Sequence, residues 1–296
     1  MMMHKRKPTL SSIVIYAALI AFVLFCILPF ALVLSSSFSD EEALKEYGIG
    51  FFPREFSLEA YRYAFQYPDD ILNAYGVTVF VTVVGTVLNL LLTVLIAYPL
   101  SKQDFRWRRP MSFYLFFTML FNGGLVPTYL LLKNYLHLYD TIWVLILPLL
   151  IVPGNVFIMR VFFQGVPRSL YESAVIDGAG EWTMLFRIGI PLSKAGIATV
   201  TFFIILLYWN DTFTGLLFLE DPKLTPLQLL LNQLVNYVQY VQQNAVVSGG
   251  MISAADLPDK SLMFAMCVIA TGPMLFVFSF FQKYFVRGLT AGALKE

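Results

Sequence analysis

Six long apolar stretches separated by polar segments set the pattern of this chain, at about 13–34, 74–100, 111–132, 141–163, 196–219 and 261–281. Each is long enough for a helix to cross roughly 30 Å of hydrocarbon, which needs about 20 residues. The chain is therefore predicted to be an all-α integral membrane protein with six transmembrane helices. Its organisation reads as an N-terminus 1–12, a six-helix domain 13–281 and a tail 282–296, with an inner loop 164–191 and outer loops 35–73 and 220–260. The first run is too long for a typical signal-peptide core, so the helix over 13–34 is expected to be retained.

Composition agrees: of 296 residues, 58% are hydrophobic and 13% charged, with a mean hydropathy of +0.71, far from a soluble domain. The net charge of +1 hides an asymmetry. Lys5, Arg6, Lys7, Lys102, Arg106, Arg108, Arg109, Arg160, Arg168, Arg187, Lys194, Lys283, Arg287 and Lys295 all fall on one side if the N-terminus is inside. Asp40, Glu41, Glu42, Glu46, Glu55, Glu59, Asp69 and Asp70 make the first outer loop acidic. Basic residues near helix ends stay cytoplasmic, so both termini are expected there. The basic residues lie scattered over separate loops, and no nucleic-acid signature is found. Cys26 and Cys267 both fall inside spans, and His4 and His137 stand far apart. The sequence offers neither a disulfide framework nor a metal-ligand spacing.

The six-helix pattern is not repeated, so a path lying at a two-fold interface would need a second chain. Leu227, Leu230, Leu231, Leu234, Val238 and Val241 recur at helical spacing in the last outer loop and predict an amphipathic helix lying in the interface. It either packs on the bundle or presents a docking surface. Breakers cluster in the third and fourth spans: Asn122-Gly123-Gly124 with Pro127, and Pro148 with Pro153-Gly154. They mark either moving, pore-lining segments or ordinary packing.

Residues 167–180 read as a short helix with Pro167 at its first position, Leu170 and Ala174 on one face, and Gly178 and Gly180 ending it. Trp182, Leu185, Phe186 and Gly189 suggest a second amphipathic piece ending at Pro191. Small Ser173 and Ala174 permit close approach by a partner, and Glu172 and Asp177 offer it carboxylates. The alternative is a plain connector with interfacial helices. In the fifth span, Tyr208-Trp209-Asn210-Asp211-Thr212 is a strongly polar cluster within an otherwise apolar helix. An ionisable group at membrane depth tends to face a cavity or a partner, and aromatic faces beside amide and carboxylate groups suit sugars. The cluster either lines a sugar path or forms a buried structural network, with Asp211 alternatively pairing with another chain.

The spacing Glu172-Ser173-Ala174-Val175-Ile176-Asp177-Gly178, followed nine residues later by Ile188-Gly189-Ile190-Pro191, resembles the EAA loop of permease subunits of bacterial ATP-binding-cassette importers. Ser173 and Ile190 depart mildly from that pattern. Residues 121–129, Ile158-Met159-Arg160, 191–194, Trp209-Asn210 and 282–292 are similar to the carbohydrate-uptake branch, in the style of the second permease subunit of a maltose transporter. The resemblance implies a type I importer permease fold in the bacterial inner membrane and a coupling loop whose ATPase-coupling residues are Glu172, Ser173, Ala174, Asp177, Gly178, Ile188 and Pro191. Expected partners are a homologous second permease chain, two ATPase subunits, an extracytoplasmic solute-binding protein and an oligosaccharide. The C-terminal tail either approaches the ATPases or frays. No Walker A sequence, G-x-x-x-x-G-K-[ST], occurs here, so no cofactor is expected on this chain, and ATP and Mg belong to the partner subunits. Transport would proceed by alternating access. The sugar stays open, with an acidic oligomer such as alginate fragments among the substrates the resemblance allows. Rival readings are a permease of the same superfamily for amino acids and an ion-coupled carrier.

Overall fold

The computed structural model describes residues 10–66, 68–247 and 260–293. In chain order its α-helices are α1 (Leu10–Ser37), α2 (Glu41–Tyr47), α3 (Glu59–Ala64), α4 (Pro68–Ser101), α5 (Arg108–Leu120), α6 (Leu125–Leu130), α7 (Pro153–Gln164), α8 (Arg168–Ile176), α9 (Glu181–Met184), α10 (Ile190–Leu192), α11 (Lys194–Trp209), α12 (Phe213–Phe218), α13 (Leu227–Val247) and α14 (Lys260–Ala293). Three of these contain spans long and apolar enough to cross a membrane: α1, α4 and α14. Bent helix pairs raise the number to six. The basic N-terminal residues and the end of the C-terminal tail lie outside the described residues.

One compact unit comprises the described residues up to 66 together with 233–271. Its first outer loop contains the short helices α2 and α3, and two of its acidic residues, Asp40 and Glu41, act at helix starts. The Asp40 carboxylate accepts from the Glu42 backbone N–H at 2.9 Å and starts α2. Glu41 accepts from both the backbone N–H and the hydroxyl of Ser261, at 2.9 and 2.8 Å, at the first turn of α14. Phe38 stacks on Phe56 and Tyr61 with ring centres 5.9 and 5.1 Å apart. By contrast, residues 14–30 of α1 are exposed throughout, an apolar surface left for lipid or another chain.

The second unit comprises 68–232 with 272–293 among the described residues. Its axis is α4, which begins at Pro68 rather than near 74. Pro68 suits a first helical position, and Asp69 and Asp70 favour the positive end of the helix dipole. At 34 residues the helix is about 50 Å long at 1.5 Å per residue. A stripe of small and polar residues, Thr78, Thr82, Gly85, Thr86, Asn89 and Thr93, is buried along it. Small residues let helices approach closely in lipid, and α7 and α11 make the most extensive packing of the unit against α4.

The breakers are used in two ways. In the third span, α5 ends at Leu120, Gly124 takes φ +90°, and the continuation departs at 111°. The third span, predicted over 111–132 with breakers at Asn122-Gly123-Gly124 and Pro127, divides at those breakers, because glycine at a positive φ permits a turn that no straight span contains. In the fourth span, short 3-10 turns (Ile142–Leu145 and Leu147–Leu149) precede α7 at a 50° bend. Pro153 has no N–H to donate to the carbonyl of Leu149, four residues earlier. The Asn89 side-chain amide donates to that carbonyl instead, at 2.6 Å, and Thr93 holds the Asn89 oxygen at 3.0 Å. Tyr208 likewise donates to the carbonyl of Ile146 at 3.1 Å. Of the two readings of Pro148 and Pro153, this hydrogen bonding fits packing.

Tyr208 reaches Ile146 only because Gly85 lacks a side chain, since a Cβ there would lie 2.5 Å from the Tyr208 ring. Alanine in a helix gains about 1 kcal/mol over glycine, but overpacking a filled core costs about 1–3 kcal/mol. Gly85→Ala is expected to lower the thermal stability of the detergent-purified protein, and Tyr208→Leu in the same chain to restore part of the loss. A second prediction concerns the junction after the third span. Asp140 accepts from the backbone N–H groups of Glu220 and Asp221 at 2.9 and 2.8 Å. Those two bonds, that from Asp221 first, hold its pKa below the ordinary 3.8. A lowered carboxylate pKa contributes stability that is present above the unfolded value and lost as pH falls through the folded one. The stability gap between wild type and Asp140→Ala should therefore be constant at neutral pH and shrink only below about pH 3.8, as thermal unfolding across pH would show.

Candidate functional site

The inner loop folds as a short protruding helix on two stems. Pro167 is the residue before its first turn, with ψ 131°, rather than the first helical position expected. Its end is built by the G of the E-S-A-x-x-x-G spacing. Gly178 sits at φ +76°, the Gly178 N–H donates to the carbonyl of Val175 at 3.0 Å, and Ala179 N–H donates to that of Ala174 at 2.9 Å. This paired closure requires a left-handed residue just past the helix end, which is why glycine falls four positions after Ala174. No residue of α8 is buried. Glu172, Ser173 and Asp177 are exposed, as are Leu170, Val175 and Ile176, the last at 86%.

The return stem comprises α9, a π-helical turn Leu185–Gly189 and α10. Pro191 lacks the N–H that a regular ladder needs, and the widened turn precedes it. Ile188 is half-buried. The stem meets α11 at 82°. Gly189 is a point of close packing, since a Cβ there would stand 3.3 Å from the Tyr171 hydroxyl and 3.5 Å from both the Phe163 and Tyr98 rings. Three segments, α4, α7 and α8, thus converge on the glycine of Ile188-Gly189-Ile190-Pro191.

Around this point sequence reasoning missed several residues. Lys102, just past α4, forms an ion pair with Glu181 at the start of α9, and Glu181 also accepts from the Tyr98 hydroxyl at 3.2 Å. The Lys102 ammonium lies 4.7 Å from the Tyr98 ring centre and 5.7 Å from that of Tyr171, within cation–π range. Burial, and then the charge of Glu181, push the Tyr171 hydroxyl above its ordinary range. Arg168 donates to Gln103 at 3.2 Å and approaches Asp104 at 3.5 Å. A groove of about 1090 Å³ runs between these segments, lined among others by Lys102, Arg108, Tyr171, Glu172 and Trp182. The basic run after the second span hinted at this region, but nothing in the sequence pairs residues 79 and 83 positions apart.

The polar cluster of the fifth span does not lie within one continuous helix, the arrangement expected from its apolar flanks, but straddles a helix end. Helix α11 ends at Trp209 and α12 begins at Phe213. Tyr208 and Trp209 are only 3% and 4% exposed, with Trp209 6.4 Å from Tyr75, ring centre to ring centre. Asn210 is exposed, and its side chain donates to the carbonyl of Leu206 at 2.8 Å. Asp211 starts α12 by accepting from the Thr214 N–H at 3.1 Å, while its second oxygen is buried with no hydrogen-bond partner among the described residues. The cluster therefore divides: Tyr208 and Trp209 pack inside the unit, and Asn210 and Asp211 stand at a helix break. Among the described residues, no group of three or more His, Cys, Asp or Glu is placed to hold a metal ion.

Residues 90–291 match the family model described as the inner membrane component of binding-protein-dependent transport systems. The chain is 41% identical over 289 residues to the polygalacturonan/rhamnogalacturonan transport system permease protein YtcP of Bacillus subtilis (strain 168), covering 98% of this chain and 99% of that one. It is 42% identical over 269 residues to protein LplC of the same organism, covering 91% and 89%. Among solved structures it is similar to a chain of a bacterial ABC transporter involved in the import of the acidic polysaccharide alginate. That match has a TM-score of 0.76 and 28% identity, over 96% of this chain and 100% of the other.

Because nothing lies within 4 Å of a Cβ at Gly178, substitution there meets only backbone strain, about 1–2 kcal/mol for a left-handed non-glycine residue. Asn adopts that region more readily than a β-branched residue. Gly178→Val is expected to fray the end of α8 and Gly178→Asn to fray it less, as hydrogen exchange over 172–180 would measure.

Proposed function

The chain belongs to the family of inner membrane components of binding-protein-dependent transport systems, and on that premise we propose that it forms half of an oligosaccharide path through which α8 delivers the stroke of separate ATPase subunits. It is a multi-pass transport subunit and not an enzyme. As an importer permease it works with a partner permease, ATPases and a solute-binding protein. The finer arrangement proposed is a heterodimer with a homologous permease, two ATPases, an extracytoplasmic binding protein and both termini cytoplasmic, with ATP and Mg held on the ATPases alone.

One observation carries the coupling role. Helix α8 turns only Tyr171 and Ala174 partly inward, yet holds Leu170, Val175 and Ile176 exposed beside Glu172 and Asp177. Exposed apolar residues rimmed by charge mark a protein contact. Lys102, Arg108 and Arg168 line the adjacent groove, which supports a cytoplasmic position under the positive-inside rule. A tilt of the docked ATPase would move α8 as a rigid body on its stems, and the two permease chains would rock so that a central cavity opens outward, then inward.

An acidic oligosaccharide is the favoured substrate, because the similar permease YtcP is named for polygalacturonan and rhamnogalacturonan and the similar structure for alginate. Of the fifth-span cluster, Asn210 and Asp211 are the members we assign to the path, while Trp209 and Tyr208 shape it from behind.

Two measurements test the reading. Ile176→Asp should leave the permease pair in the membrane but strip the ATPase from the purified assembly, and retention of the ATPase would reject α8 as its dock. In proteoliposomes with the binding protein, ATP hydrolysis should respond to oligogalacturonides or alginate oligomers and not to neutral malto-oligosaccharides. Asn210→Ala should raise the substrate concentration for half-maximal stimulation about fivefold, the loss of roughly one hydrogen bond. An unchanged value would assign Asn210 to packing alone.

A further inference from the structure

Helix α8 is continuous in sequence with α7 on one side and α9 on the other, and these are the obvious routes for force. The contacts around it describe a third. The turn that follows α4 grips the protruding helix before and after: Arg168, its first residue, holds Gln103 and Asp104, while Glu181, which opens the return stem, holds Lys102 and Tyr98. Between these, Tyr171 is the aromatic residue of α8. Its ring lies 6.3 Å from that of Tyr98, centre to centre, under the Lys102 ammonium, and its hydroxyl abuts Gly189.

We propose that Lys102, paired with Glu181 across the Tyr98 and Tyr171 rings, is a positioning residue that clamps the coupling helix to the end of α4 and passes its displacement into that helix. The proposal rests on the reading of α8 as the ATPase contact and adds a route that the chain's sequence continuity does not supply.

The choice of α4 has a mechanical basis. It runs as a single helix from Pro68 to Ser101, with Pro99 in its last turn, and along it Asn89 and Gly85 hold the broken fourth span and Tyr208 of α11. A push at Lys102 therefore reaches the two elements on which the bend at 150–152 and the break at 210–212 depend. Thermodynamic stability is not the reason for the clamp. The Lys102 and Glu181 side chains retain 27% and 65% of their exposure, and exposed pairs contribute little to stability. Removing the pair should leave the fold intact while slackening the joint, and this separates a positioning role from a structural one.

The experiment uses the complete transporter, with partner permease, ATPases and binding protein, in proteoliposomes at saturating substrate. The readout is substrate imported per ATP hydrolysed. Lys102→Met and Glu181→Gln are each expected to keep the ATPase bound and hydrolysing while lowering that ratio about fivefold or more, the lower end of a typical coupling energy. Lys102→Arg, which keeps a charge over the rings, should recover most of it, as should the exchanged pair Lys102→Glu with Glu181→Lys. A wild-type ratio in both single variants would overturn the proposal, and so would release of the ATPase, because the pair would then belong to the docking face. Failure of the exchanged pair and of Lys102→Arg together to recover the ratio would also overturn it. Ile176→Asp, measured alongside, separates the two levels. If it keeps its ATPase, the docking reading fails, whereas a wild-type ratio at Lys102 with the ATPase lost at Ile176 removes only the clamp.

Discussion

In the second unit a single backbone carbonyl shows what the rest of the fold must accommodate. Leu149 loses its helical donor because Pro153 has none, and in a medium without water an unpaired carbonyl costs several kcal/mol. Asn89 supplies the missing N–H from the neighbouring helix at 2.6 Å, and Thr93 fixes the orientation of Asn89. The Tyr208 hydroxyl, from α11, adds a second donor to the carbonyl of Ile146, which also accepts from the Leu149 N–H at 3.3 Å. The bend in the fourth span exists because α4 and α11 carry these donors at the right height. It follows that α4 has to be small and polar on that face and close to both neighbours, which is the role of Gly85 and the buried threonines.

That constraint gives the unit a rigid member and compliant ones. Helix α4 is continuous, while the third, fourth and fifth spans each contain a break. Under the proposed alternating access, the helix ends at Leu120 and Trp209 are where movement would concentrate, whereas the bend at 150–152 is held by Asn89. The coupling segment fits the same logic. Its helix is closed by backbone hydrogen bonds around Gly178, and in the proposed reading its exposed apolar side chains are the ones left for a partner.

The exposed surface belongs to the same account. Residues 14–30 of α1 and much of α5 and α6 show large apolar side chains outward. In water such a surface would drive aggregation; in a bilayer, shared with another permease chain, it is the ordinary outer face of a helix bundle.

What could be read from the residues in order was whatever depends on local chemistry. The long apolar runs at 13–34 and 261–281 became continuous helices although Pro29 and Pro273 each remove one ladder donor, and the helix over 227–247 followed from its leucine spacing. Glu172 to Gly178 was legible because a left-handed glycine must sit at a set distance past the last turn. The linear pattern did not reveal the 111° turn after Leu120, the end of α11 at Trp209, or the use of Glu41 and Asp140 to hold distant backbone. Nor did it bring Lys102 to Glu181 or Asn89 to Leu149. Each of these is a contact between groups remote in sequence, and side-chain type and spacing carry no record of which distant carbonyl or carboxylate will lie opposite. Only the close packing of α4 against its neighbours decides that.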